Sequence, residues 1–148
     1  DSYQQLLVGV CLFFRRMIAL NVIALMIGGL FGSLLRYGLG LWIPAVGSFP
    51  LSTVVINLSG CLFLGWFFTA APLRKIPSHL RLGLGTGFTG AFTTFSTFSV
   101  QTLEALSSSR PGTAAAYALA NVIGGLFMAG LGVRIAGKNR RRQGEGAA

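Results

Sequence analysis

Residues 87–99 read GFTGAFTTFSTFS and lie inside a long apolar run, 80–106. Gly83, Gly85, Gly87 and Gly90 are poor helix formers in series, and Thr93 and Thr94 are β-branched. Close helix packing explains the glycines, because small residues line helix interfaces in membranes. It does not explain why hydroxyls and phenylalanines interleave so densely after them. The composition predicts a local break over residues 88–93. A break at membrane depth frees backbone carbonyls, which are tolerated only when buried in protein or used to bind something. Freed carbonyls suit a small hard cation such as sodium.

Beyond the break, helical spacing sorts the side chains. Phe95, Phe98, Ser99 and Thr102 form one stripe; Thr94, Thr97, Phe98 and Gln101 form its neighbour. An aromatic ring is electropositive at its edge, so two phenylalanines turned edge-on can line a path for a small anion. Hydroxyls can donate hydrogen bonds to that anion. Other apolar runs supply polar partners: Asn57, and Tyr117 four residues before Asn121 on one helical face. Such groups are costly in lipid and belong in the interior or on a wet path. Arg36, at the end of the first run, either snorkels to the interface or draws anions toward a vestibule.

Composition agrees with a membrane setting. Of 148 residues, 53% are hydrophobic and 10% charged, where a soluble domain has roughly a quarter charged. The net charge of +9 does not read as a nucleic-acid surface, because the basic residues cluster at the ends of apolar runs, as membrane anchors do. Cys11 and Cys61 lie in apolar stretches and read as packing residues, and His79 sits in a basic loop. The acids are Asp1, Glu104 and Glu145, none in the middle of an apolar run. Triad, paired-carboxylate and metal-cluster chemistries have almost nothing to work with, so an enzyme is not expected.

Four runs reach the roughly 20 residues that a spanning helix needs: 18–41, 51–71, 80–106 and 113–135. Proline and glycine mark the short connections, so consecutive helices are expected to be antiparallel neighbours. The predicted organisation is an N-terminal extension over 1–16, interfacial or inessential, a four-helix transmembrane domain over 17–136, and a basic polar tail over 137–148.

Three segments, GGLFGSLLRYGLG at 28–40, TVVINLSG at 53–60 and GTGFTGAFTTFSTFS at 85–99, together resemble the Fluc (CrcB-type) fluoride-channel family. The resemblance covers nearly all of 17–135, and the third-run motif is the specific part. It implies an all-α membrane protein with a broken third helix. It implies an antiparallel dimer of four-helix subunits in the plasma membrane, surrounded by lipid, with two fluoride pores and a central structural sodium ion. Carried over, the Gly90 and Thr93 carbonyls hold the sodium. Phe95 and Phe98 line the pores with Asn57, Ser96 and Thr97; Tyr117 and Asn121 continue the polar track; Arg36 sits at a vestibule. The implied role is passive export of cytoplasmic fluoride. Two departures stand out: Gln101 occupies a place where the family often has glutamate, and Gly125 and Ala129 stand where hydroxyls often continue the track.

One rival is a small proton-coupled multidrug exporter, also four-helix and antiparallel. It needs a membrane-embedded carboxylate, and the first run has none. Another is a structural subunit without transport. Charge placement bears on the partner. The side expected to hold both termini carries Arg15, Arg16, Arg74, Lys75, Arg81, Arg134, Lys138, Arg140, Arg141 and Arg142; the other carries Arg36 and Arg110. That bias puts both termini in the cytoplasm. The dimer is then formed with a second copy or with an oppositely oriented homologous chain.

Overall fold

The computed structural model describes residues 2–145. Asp1 and the end of the expected tail, 146–148, lie outside the described residues, as do the side chains of Arg140, Arg141 and Arg142. The order is α1 (Ser2–Trp42), α2 (Leu51–Leu73), α3 (Ser78–Arg81), a π-helical segment (Leu82–Phe88), α4 (Thr89–Phe92), α5 (Phe95–Ser107) and α6 (Pro111–Glu145). Among the described residues there is no strand, only an isolated bridge between Val46 and Phe49.

Among the described residues, three helices are long and apolar enough to cross a membrane, over Leu7–Trp42, Leu51–Leu73 and Pro111–Lys138. Large apolar side chains such as Phe31, Leu126 and Phe127 are exposed on them. Lipid accepts that surface, and inside it a helix satisfies its own backbone. Even β-branched runs such as Thr53-Val54-Val55-Ile56 are therefore helical. With 41 residues, α1 runs on through Arg15 and Arg16 without a break; at 1.5 Å per residue it is roughly 60 Å long, about twice a hydrocarbon core.

The expected third span, 80–106, is not one helix. Its alternating glycines have no side chains to hold an α turn, and the backbone widens into the π segment Leu82–Phe88. The widened turns lie against α1 at very short range. A Cβ on Gly28 would run into the Gly83 carbonyl, and one on Gly32 into that of Phe88. A second tight seam joins α2 and α6, where Gly65 meets the Ala129 carbonyl. The core between these layers holds Ile56, Phe67, Ala71, Ala114 and Tyr117.

The connections are built with economy. Gly47, at φ +60°, turns the loop after α1, and Val46 and Phe49 exchange hydrogen bonds of 3.1 and 3.0 Å across it. Both α2 and α5 end in a Schellman reversal on a non-glycine residue, Lys75 at φ 51° and Ser109 at φ 56°. After the first, the N–H of Ile76 reaches back to Ala71; after the second, that of Arg110 reaches Ala105. Arg74 then lies over the Trp66 ring at 5.7 Å. Pro111 starts α6 at the position where a missing N–H costs nothing.

Candidate functional site

The helical run stops at Phe92. Thr93, with ψ 156°, and Thr94, with φ −143° and ψ 118°, are extended before α5 begins. In an unbroken helix the Gly90 carbonyl would accept from the Thr94 N–H, and the Thr93 carbonyl from the Thr97 N–H. Both donors are engaged elsewhere. The Thr94 N–H donates to Asn57 Oδ1 at 2.9 Å, and the Thr97 N–H donates to Thr94 Oγ1 at 3.1 Å. Thr94 is therefore the N-cap of α5. The Gly90 and Thr93 carbonyls are left without their helical partners, and Gly90 is exposed with open space around it.

Asn57 closes the break from the side. Its Nδ2 donates to the Thr94 carbonyl at 3.2 Å and to Asn121 Oδ1 at 2.9 Å. With its Oδ1 taking the Thr94 N–H, the side-chain amide stands in for a missing peptide of the ladder. Asn121 Nδ2 donates in turn to the Tyr117 carbonyl at 3.0 Å. One chain of bonds thus ties α2, the break and α6 together, and both amide hydrogens of Asn57 are used within the protein.

On the far side of Thr94 the rings line up. Phe95 and Phe98 are 5.6 Å apart between centroids and tilted by 48°; Phe98 and Tyr117 are 5.5 Å apart. Phe95 is 79% exposed and Tyr117 is fully buried, so the row runs from the surface inward. Phe49 meets Tyr117 edge-on at 5.8 Å, and the Tyr117 hydroxyl donates to Gln101 Oε1 at 2.7 Å. The hydroxyls divide into two groups. Ser99 donates to the Phe95 carbonyl and Thr102 to that of Phe98, at 2.9 and 2.7 Å, so both are spent on their own helix. Thr94 Oγ1 donates to Thr97 Oγ1 at 3.0 Å and lies 3.3 Å from Ser96 Oγ. Thr97 Oγ1 accepts the first of these bonds, and among the described residues no acceptor takes its own proton.

A cleft of about 240 Å³ opens beside the break, with Asn57, Thr93, Phe95, Phe98 and Asn121 on its wall. Five of the expected site residues therefore meet at one place. Ser96 and Thr97 flank it through Thr94, and Tyr117 adjoins it through the Phe98 ring. Arg36, half-buried on α1, is not among the lining residues. Gly125 and Ala129 belong to the α2–α6 seam, Gly125 facing Cys61 Sγ and the Ala129 carbonyl facing Gly65. Sequence reasoning missed Thr94 as a cap and Asn57 as its clamp. The cap had a local signal, a threonine three residues before another hydroxyl at the start of an amphipathic stretch. The clamp had none, because it depends on how two distant segments dock.

Long apolar helices with lipid-type surfaces, and an interrupted segment tied to them by part-buried amides, define an all-helical, multi-pass integral membrane protein. Residues 23–133 match the family described as CrcB-like protein, Camphor Resistance (CrcB). The chain belongs to that family. It is 47% identical over 122 residues to fluoride-specific ion channel FluC 1 of Bacillus cereus, covering 80% of this chain and 85% of the relative. It is 44% identical over 117 residues to fluoride-specific ion channel FluC of Oceanobacillus iheyensis, covering 78% and 91%. It is also 44% identical over 124 residues to FluC 2 of Geobacillus kaustophilus, covering 80% and 95%.

Proposed function

We propose that the protein is a fluoride-selective channel of the bacterial plasma membrane that lets cytoplasmic fluoride leave passively, and not an enzyme. The observation that carries this reading is the row Phe95–Phe98–Tyr117 beside the break at Thr93 and Thr94. Ring edges and the Thr97 hydroxyl offer a small anion weak, closely spaced positive partners, with no basic side chain on the wall to trap it. Phe95, Phe98, Ser96 and Thr97 take the anion. Asn57 and Asn121 hold the break open, and Tyr117 continues the track toward Gln101. The names of the relatives, fluoride-specific ion channels, support the same substrate.

The run from Ser78 to Ser107 serves as a fourth, broken crossing, which places both termini on one side. The subunit works in an antiparallel dimer. Phe95 is too exposed in one chain to enclose an ion, and a second chain across the break would cover it. The same closure would bring together the Gly90 and Thr93 carbonyls of both subunits. Oxygen donors without hydrogen-bond partners fit a sodium ion, which would supply a fixed positive charge and lock the two breaks against each other. The test is purified protein in lipid vesicles loaded with fluoride or chloride, with release followed by electrode. Fluoride is expected to leave and chloride to stay. Equal passage of both ions would reject the reading.

A further inference from the structure

We propose that Arg110 and Glu104 form a charged mouth to the aromatic track, with Arg110 gathering anions and Glu104 opposing it. The inference rests on the fluoride-channel reading and names residues that set its rate. A polar cleft of about 160 Å³ opens where the loop after α1 meets the end of α5 and the start of α6. Ser48, Gln101, Glu104, Ser108 and Arg110 are on its wall. Gln101 connects this cleft to the track. Its Oε1 takes the hydroxyl proton of the buried Tyr117, whose ring is 5.5 Å from Phe98. An anion in the cleft is therefore one residue from the ring row.

Arg110 is held in place by backbone. Its N–H donates to the Ala105 carbonyl at 3.0 Å, Ser109 is fixed in the left-handed conformation, and Pro111 begins α6. No ion pair joins Arg110 to Glu104 among the described residues, so the guanidinium is free for a visiting anion. The only other cation that the sequence puts on this side is Arg36. Its helix, α1, packs on the π segment and α4 rather than on α5 and α6. Arg110 is thus the cation at this cleft. A guanidinium not neutralised by a direct ion pair raises the local concentration of counter-ions, and Glu104 on the same wall offsets part of that pull. The effect fades once the Debye length, about 10 Å at 0.1 M salt, becomes short against the cleft.

The experiment measures initial fluoride release from vesicles of zwitterionic lipid, at low and high ionic strength set with a salt of a bulky anion. Arg110→Gln is expected to slow release about three- to tenfold at low ionic strength, at or below the foot of the range that focusing by a cleft of many like charges provides, because one charge is removed. Arg110→Lys should keep the rate, and Glu104→Gln should raise it about two- to threefold by the same focusing. The rates should converge at high ionic strength. Unchanged release by Arg110→Gln at low ionic strength overturns the proposal. So does a loss that persists at high ionic strength or appears equally in Arg110→Lys, because that loss is structural. If the unaltered chain releases no fluoride, the channel reading itself fails and the mouth falls with it. If the unaltered chain conducts and Arg110→Gln matches it, only the mouth is wrong.

Discussion

Asn57 makes three hydrogen bonds with one side chain, to the Thr94 N–H, the Thr94 carbonyl and Asn121. Leucine has nearly the same volume and none of these bonds. Asn57→Leu leaves three partner groups unpaired, each costing about 1–3 kcal/mol where it is buried. The expected result is a stability loss of about 3 kcal/mol or more, read as a lower unfolding temperature in detergent, together with loss of fluoride release. A variant as stable as the parent would show that Asn57 does not hold the break. The phenylalanines call for a different readout. Isoleucine keeps apolar bulk but lacks a polarised ring edge. Phe95→Ile and Phe98→Ile are therefore expected to assemble normally and to abolish release in the vesicle assay. If both conduct like the parent, the rings only pack. The structure also separates hydroxyls that the sequence presents as equals. Ser99 and Thr102 are bonded to their own helix, so Ser99→Ala is expected to leave release within about twofold of the parent, the change of less than 0.5 kcal/mol typical of a substitution away from a special feature.

At the scale of elements, the α5–α6 reversal stores strain at a single residue. Ser109 has φ 56°, a conformation that costs an L side chain roughly 1–2 kcal/mol and costs glycine little. Ser109→Gly is expected to stabilise the protein by up to about 1 kcal/mol, since glycine's greater freedom when unfolded offsets part of the relief. A rise in thermal midpoint in detergent checks it; a fall would mean that the Ser109 side chain contributes something the backbone does not reveal. The α1–π seam gives the opposite case, because a methyl at Gly28 or Gly32 meets backbone rather than a movable side chain. These examples also mark what was legible beforehand. The composition predicts a break over 88–93, but residues 88–92 are helical and the extended residues are Thr93 and Thr94; serial glycines and a β-branched threonine pair signal an interruption locally without fixing its position. The π segment was not legible, since glycine lowers the cost of many conformations and selects none. The Tyr117–Gln101 and Asn57–Asn121 bonds link residues 16 and 64 positions apart. Each residue was flagged as polar in an apolar run, but a single sequence cannot say which of its neighbours it faces. The ends of α1 and α6 were drawn at charges, yet helices in the structure continue through them, because arginine and lysine are good helix formers.

At the scale of the whole molecule, charge constrains the arrangement of the proposed dimer. Ten of the twelve basic residues belong to the side expected to hold the termini, and only Arg36 and Arg110 to the other. Moving clustered lysine and arginine across a membrane is unfavourable, so this chain should insert with both termini inside. Residues far from a span weigh less in that rule, and Arg140, Arg141 and Arg142 are the ones furthest from the apolar part of α6. Arg74, Lys75 and Arg81 do not have that excuse; the first two sit in the short connection after α2 and Arg81 ends α3 just beyond it. An antiparallel dimer built from a chain with one fixed orientation needs a second, homologous chain with its basic residues on the opposite loops. The two pore halves would then differ, and Gln101 with the packed Gly125 and Ala129 would belong to one of them. The decisive measurement expresses this chain alone, with Cys11 and Cys61 replaced and single cysteines placed at Ser48 and at Lys138, and labels intact cells with a membrane-impermeant thiol reagent. A fixed orientation predicts labelling at Ser48→Cys and none at Lys138→Cys, with little fluoride release until the oppositely oriented homologue is supplied. Similar labelling at both positions, with release by the lone chain, would instead make it a dual-topology homodimer and remove the need for a second gene product.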